Sequence, residues 1–141
     1  MKNVLIDTDI ILDFFLDREP FSDHAAKILT LCENNQLIGF VTPVIVSNVY
    51  YILSQNAKQE KVIEKLKLLL SILEIATIDK NIITISLNSD FKDFEDALHN
   101  YAAENHQFIS VIITRNTKDF KKSNIAVMSP EDFLKSLMIN G

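Results

Sequence analysis

Carboxylates stand at the ends of apolar segments that are far apart in this chain. Asp7 closes the run N-V-L-I-D-T-D, with Asp9 beside it; Asp96 lies in D-F-E-D-A-L; Asp119 ends T-R-N-T-K-D-F, directly after V-I-I-T. Like charges gathered in a fold need a cation or donors to offset their repulsion, so these residues point to a divalent-metal site. An all-oxygen donor set suits Mg2+ or Mn2+ rather than zinc, which prefers Cys and His. The histidines, His24, His99 and His106, form no H-E-x-x-H and read as ordinary surface or helix residues. Cys32, the single cysteine, reads as a small core residue. With glycine only at positions 39 and 141, a P-loop, a dinucleotide-binding turn and a nucleophile elbow are excluded.

The elements that would bring these acids together follow from the apolar pattern. Short β-rich runs over 3–6, 38–42, 74–78, 111–114 and 125–128 alternate with helical segments, which is the pattern of an α/β chain with a parallel sheet. Helices are expected over 10–16, 22–34, from Pro43 onward, over 58–73, around Phe94 to Ala102, and over 130–138. Ala25, Ile28, Leu29 and Cys32 share one face of the second of these, and Val44, Val46, Val49, Tyr50 and Leu53 are core candidates in the third. The stripe Val62, Leu66, Leu69 and Leu73 could cover the sheet or pair with a second copy. In a parallel sheet the binding crevice lies at the C-terminal ends of the strands. Asp7 and Thr114 end strands there, and the helix carrying Asp93, Glu95 and Asp96 must start at the same edge because it runs antiparallel to the next strand. Asn48, near the start of the helix after the second strand, is placed close by the same reasoning.

Each motif alone has a structural explanation: D-x-D commonly starts a helix, Asp93 could be an N-cap, and first-turn acids suit the helix dipole. Three independent crossovers that deliver acids to one edge favour the metal reading. The chain has 141 residues, 48 % of them hydrophobic, which fits one domain, and the thiol usage fits a reducing cytoplasm. Asp7, Asp9, Asp13 and Glu74 interrupt the apolar runs, so neither a membrane span of roughly 18 residues nor a signal peptide is expected. A net charge of −5, from 19 acids and 14 bases, gives no general basic footprint for nucleic acid. Lysines nonetheless cluster at Lys58, Lys61, Lys65 and Lys67, the wet face of a helix, and Arg115, Lys118, Lys121 and Lys122 adjoin the acids.

The strand ending V-L-I-D-T-D, the D-F-E-D-A-L helix and the T-R-N-T-K-D-F segment together resemble the PIN-domain ribonucleases, including VapC-type toxins of bacterial toxin-antitoxin pairs. The resemblance runs from Asp7 to Phe120. It implies a three-layer α/β/α fold with a central parallel sheet of four or five strands, dependence on Mg2+ or Mn2+, and RNA as substrate. Asp7, Asp96 and Asp119 then match the family's catalytic, metal-holding acids, and Thr114 and Asn116 match positions at the last strand's end. The chain departs from the pattern at Asn48, where the family commonly has Glu, and at Asn116, where it often has Asp. Both changes remove charge and put a second metal in doubt; Asp9 or Glu95 could compensate. Arg115, Lys118 and Lys121 are expected to meet the RNA backbone. The toxin likeness further implies an antitoxin protein and a homodimer.

Two other functions are compatible with the residues. A catalytically weakened PIN-like module would bind RNA or protein, a reading favoured by Asn48 and Asn116. A haloacid-dehalogenase-like phosphatase would use Asp7 as nucleophile and Asp9 as acid, with Thr42 at the next strand end, although the chain offers no convincing lysine for it.

Overall fold

The computed structural model describes residues 2–106 and 108–140. Strands β1 (Lys2–Ile6), β2 (Leu37–Val41), β3 (Leu73–Ile75), β4 (Ile109–Ile113) and β5 (Ala126–Met128) form one five-stranded sheet in the order β3-β2-β1-β4-β5, and every neighbouring pair is parallel. The helices are α1 (Thr8–Phe15), α2 (Ser22–Glu33), α3 (Pro43–Leu53), α4 (Gln59–Ile72), α5 (Lys80–Leu87), α6 (Phe94–Asn105) and α7 (Pro130–Asn140). A 3-10 turn, Thr117–Phe120, follows β4.

Helices cover both faces of the sheet, which is why β1 reads as an unbroken apolar run: Val4, Leu5 and Ile6 are all fully buried. Val4 and Ile6 pack with α1 to α4 and with Phe133 of α7, whereas Leu5, Phe40 and Ile112 pack with Ile82 of α5 and Leu98 and Ala102 of α6. The result is the expected three-layer α/β/α architecture, with five strands.

The stripe Val62, Leu66, Leu69 and Leu73 is buried in the first of these layers, so it covers the sheet rather than awaiting a second copy. In α3, Val49 and Leu53 are buried as expected, but Ile45 takes the buried place near the helix start and Val44, Val46 and Tyr50 are only half-buried. Phe94, assigned to the apolar face of α6, is 44 % exposed at the helix's first position. Strand β3 starts at Leu73, directly after α4, and ends at Ile75 rather than at 78, because its partner β2 ends at Val41, opposite Ile75. Helix α5 has no counterpart in the sequence reading, since its β-branched run K-N-I-I-T-I-S-L carries little helical signal. Its start is fixed by Asp79, whose Oδ1 accepts the Ile82 N–H at 2.9 Å, and its apolar contact by the buried Ile82.

Cys32 packs in the core, and burial pushes its thiol up to about 11, which keeps it protonated and inert. It sits against Gly39 of β2. A Cβ at Gly39 would lie 2.6 Å from Leu73 Cδ2 and 2.7 Å from Cys32 Sγ. The Gly39→Ala variant is therefore expected to lose about 1–3 kcal/mol of stability through overpacking, measurable by urea unfolding.

Candidate active site

The site is built on the junction between β1 and β4. Their parallel pairing puts Ile6 beside Ile113, and the Asp7 N–H donates to the Ile113 carbonyl at 3.0 Å. Asp7 then caps α1: its Oδ1 accepts the Thr8 N–H at 2.8 Å, while its Oδ2 accepts the hydroxyl of the fully buried Thr114 at 2.8 Å. Thr114 Oγ1 in turn accepts the Asn116 N–H at 3.0 Å, which shapes the turn after β4. From the other side, α6 is capped by Asp93, whose Oδ1 accepts the Asp96 N–H at 2.9 Å. The N-cap expected of Asp93 is thus present, and it directs Asp96 toward Asp7.

These elements enclose a cleft of about 370 Å³ lined by Asp7, Asp9, Asn48, Glu95, Asp96 and Asn116. Burial, with the charges of Asp93, Asp7, Asp119 and Glu95, raises the Asp96 carboxyl to about 7. Burial and the neighbouring Asp7 likewise raise Asp9 to about 7, against the opposing pull of Arg115. Each amide in the cleft serves one acid: Asn48 Nδ2 donates to Glu95 Oε1 at 2.6 Å, and Asn116 Nδ2 donates to Asp9 Oδ2 at 3.3 Å. Among the described residues the buried Asp9 Oδ1 has no hydrogen-bond partner.

Asp119 lies in an adjoining cleft of about 650 Å³ with Lys118 and Lys121; Asp93 and Asp96 line both clefts and so form their common wall. Its charge still reaches Asp96. Arg115 lines neither of these clefts. Its Nε and Nη2 donate to Asp13 at 2.8 and 3.2 Å, and its guanidinium stacks 4.0 Å from the centre of the Phe21 ring. Two of the five N–H donors of Arg115 are thus engaged in an ion pair that links α1 to the segment after β4. Asp13, whose side chain is 1 % exposed, also has Arg18 at 3.7 Å.

Asp13 and His99 escaped the sequence reading. The signal for Asp13 was a charge inside the apolar stretch I-I-L-D-F-F, which requires a partner. His99, read as an ordinary helix residue, is 2 % exposed and belongs to the acid-lined cleft, three positions after Asp96 on the same helix face. Its Nδ1 is 3.0 Å from the hydroxyl of Thr42, whose oxygen already accepts the Ile45 N–H at the start of α3. Burial holds His99 below its ordinary pKa, although Asp7, Glu95 and Asp93 pull it upward, so the ring is neutral.

Among the described residues no three His, Cys, Asp or Glu side chains form a ready-made metal cage. The donors nonetheless suit a hard cation: all are oxygens, and Asp9 carries an unsatisfied one. Mg2+ in particular retains several waters and takes only one or two carboxylates directly.

The model of the PIN domain matches residues 3–118. With its three-layer sheet and acid-lined cleft, the chain belongs to the PIN-domain family. It is similar to a chain of a toxin-antitoxin complex from Klebsiella pneumoniae, at 25 % identity over 90 % of this chain and 97 % of that one, with a TM-score of 0.68. A chain of VapBC2 from Rickettsia felis, solved bound to a DNA fragment from its promoter, aligns at 19 % identity over the same shares, with a TM-score of 0.60. VapC20 of Mycobacterium tuberculosis, a sarcin-ricin-loop-cleaving toxin, aligns at 9 % identity over 77 % of this chain and 86 % of that one, with a TM-score of 0.59. The last two are likenesses of fold. No curated protein matches the chain.

Two outcomes test this arrangement. Replacing Arg115 by Ala strands Asp13 as a buried charge, with only Arg18 nearby; the loss is expected toward the low end of roughly 3–5 kcal/mol, read from denaturant unfolding. Asp9 and Asp96 have folded pKa values raised above the ordinary 3.8, so folding favours their protonated forms. Their contribution to stability is fully present below about pH 4 and is lost as pH rises through about 7. In EDTA, the Asp96→Asn variant should therefore melt above the parent protein at pH 8, with the gap closing at pH 5.

Proposed function

We propose that this chain, as one PIN domain over residues 1–141, is a metal-dependent ribonuclease and the toxin of a toxin-antitoxin pair. The observation that carries this is the convergence of Asp7, Asp9 and Asp96 on one cleft, with two of the three raised to about 7. Such crowding destabilises the metal-free protein, and binding a cation would relieve it. VapC-type PIN proteins are nucleases, which supports a phosphodiester as the bond cut.

In this reading Asp7, Asp96 and Asp119 hold Mg2+ or Mn2+, directly or through its waters. The bound cation would generate a hydroxide-like nucleophile and neutralise charge developing on the phosphoryl oxygens. Thr114 fixes one oxygen of Asp7 and leaves the carboxylate's remaining lone pairs for the cation. Asp9 and Glu95 supply the charge that Asn116 and Asn48 lack, and each amide holds its neighbouring acid at the cleft through the hydrogen bond between them. Lys118 and Lys121 meet the RNA backbone beside Asp119. The neutral His99 braces α6 against Thr42 beneath Asp96.

The toxin role rests on the Klebsiella and Rickettsia relatives, which occur in toxin-antitoxin complexes. We infer an antitoxin that inserts a basic side chain among the acids. A second copy would use outward residues of α4 such as Ile63, Leu68 and Leu70, since the inner stripe is already covered. Among the described residues no helix is long and apolar enough to cross a membrane, and a cytoplasmic location is proposed from the lone buried thiol. The phosphatase alternative loses its basis with the family assignment. The amides Asn48 and Asn116 support one rival, a weakened module that binds RNA without cutting it.

Purified protein should cut a mixed RNA pool with Mn2+ or Mg2+ and not in EDTA. The Asp7→Asn variant, which keeps an acceptor for Thr8 but not one for Thr114 as well, should remain folded by circular dichroism and lose more than about a hundredfold in rate. RNA binding without any cutting, together with undetectable Mg2+ binding at millimolar concentration, would select the module instead.

A further inference from the structure

The adjoining cleft is lined by Lys92, Lys118, Lys121 and Lys122 around the acids Asp90, Asp93, Asp96 and Asp119. Lys92 precedes α6, whereas the other three follow β4, so two separate segments deliver ammonium groups to one cleft. Among the described residues only Lys27, with Asp23 at 3.2 Å, and Lys135, with Glu131 at 3.3 Å, form lysine ion pairs, each within one helix; the exposed lysines of α4 form none, but they have no cleft of carboxylates around them. Among the described residues none of the four cleft lysines pairs with a carboxylate, although four carboxylates share the cleft. All four lysines are exposed. Phe91 adds an aromatic side chain to the wall, steadied edge-on by Tyr101 and Phe120. The cleft shares Asp93 and Asp96 with the acid-lined one, so a chain lying along it leads to Asp7.

We propose that this lysine-rimmed cleft is the track for a single-stranded RNA, with Lys92 and Lys122 as backbone-binding residues in addition to Lys118 and Lys121. The proposal rests on the ribonuclease reading for the strand's destination, but binding along the track does not require turnover. Unpaired ammonium groups from two segments match the repeating phosphates of a strand, and an aromatic wall accepts a base face without sequence preference. The carboxylates at the inner end give the track a direction: they repel phosphate unless a cation is bound, so the strand is held at the lysine end and presented at the common wall. A local lysine cluster of this kind would let a chain whose net charge is −5 hold a strand.

The test is fluorescence anisotropy of a labelled unstructured oligouridine with the whole protein in EDTA, over a range of salt concentrations. Three proteins are compared: the parent, Lys92→Ala/Lys122→Ala, and the control Lys61→Ala/Lys67→Ala, which removes equal charge from the exposed face of α4. The cleft variant should bind several-fold more weakly, and its slope of log affinity against log salt should shrink by about 1.4, the loss of two phosphate contacts on a single strand. The control should match the parent. Equal weakening in both variants, no weakening in either, or no binding by the parent at low salt would overturn the track. Cleavage with Mn2+ is read in parallel, where the cleft variant should raise KM and keep kcat. Binding that follows the prediction with no cleavage by any protein would keep the track and overturn the ribonuclease reading; cleavage with unchanged KM would do the reverse.

Discussion

Repulsion among carboxylates at the C-terminal edge of β1 and β4 is the constraint around which this molecule is arranged. Asp7 cannot move away, because its backbone N–H is tied to Ile113 and its two oxygens are held by Thr8 and Thr114. Asp96 is brought toward it by the Asp93 cap. The fold answers with fixed donors rather than with free cations: the Asn48 and Asn116 amides, and the Arg115 guanidinium 4.0 Å from Asp9. These measures are incomplete, since Asp9 and Asp96 remain raised to about 7. A site left under electrostatic load in this way is pre-organised for a cation, because the scaffold has already borne the cost of assembling the ligands.

That load is tolerable because the sheet beneath it is so thoroughly buried. Strand β1 is central and covered on both faces, with Val4, Leu5 and Ile6 entirely out of solvent. The Asp13–Arg115 pair adds a second fastening, linking α1 to the segment after β4 at the very edge where the acids repel each other. Phe21 covers the guanidinium and lowers the local dielectric, which strengthens the pair.

The two amides, which look like losses when set against the usual family pattern, act here as hydrogen-bond donors to acids one element away. Asn48 of α3 donates to Glu95 on α6, and Asn116, in the turn after β4, donates to Asp9 on α1. Lys92, Lys118, Lys121 and Lys122 gather around Asp119 without, among the described residues, forming an ion pair with the carboxylates that share their cleft.

The sequence by itself determined the strand and helix alternation, the parallel sheet and the edge at which Asp7, Asp96 and Thr114 would meet. Those features depend on local apolar periodicity and on the fact that successive parallel strands share a direction, so they are written in contiguous residues. The inward stripe of α4 and the burial of Cys32 were legible for the same reason. What only the tertiary structure decided were pairings across sequence distances that no local pattern encodes. Arg115, which adjoins the acids in sequence, is paired with Asp13, 102 positions earlier, and lines neither cleft. His99 was one more helix residue until Thr42, 57 positions away, claimed its Nδ1 and buried it beside the acids. Helix α5 formed from residues with weak helical preference because Asp79 capped it and Ile82 found a place against α6. The 3-10 turn after β4 carries Asp119 to the lysine side of Asp96, which feels the charge of both Asp7 and Asp119. Which polar side chains stay available for chemistry is a property of the packed molecule, because each donor and acceptor is committed only when its partner arrives.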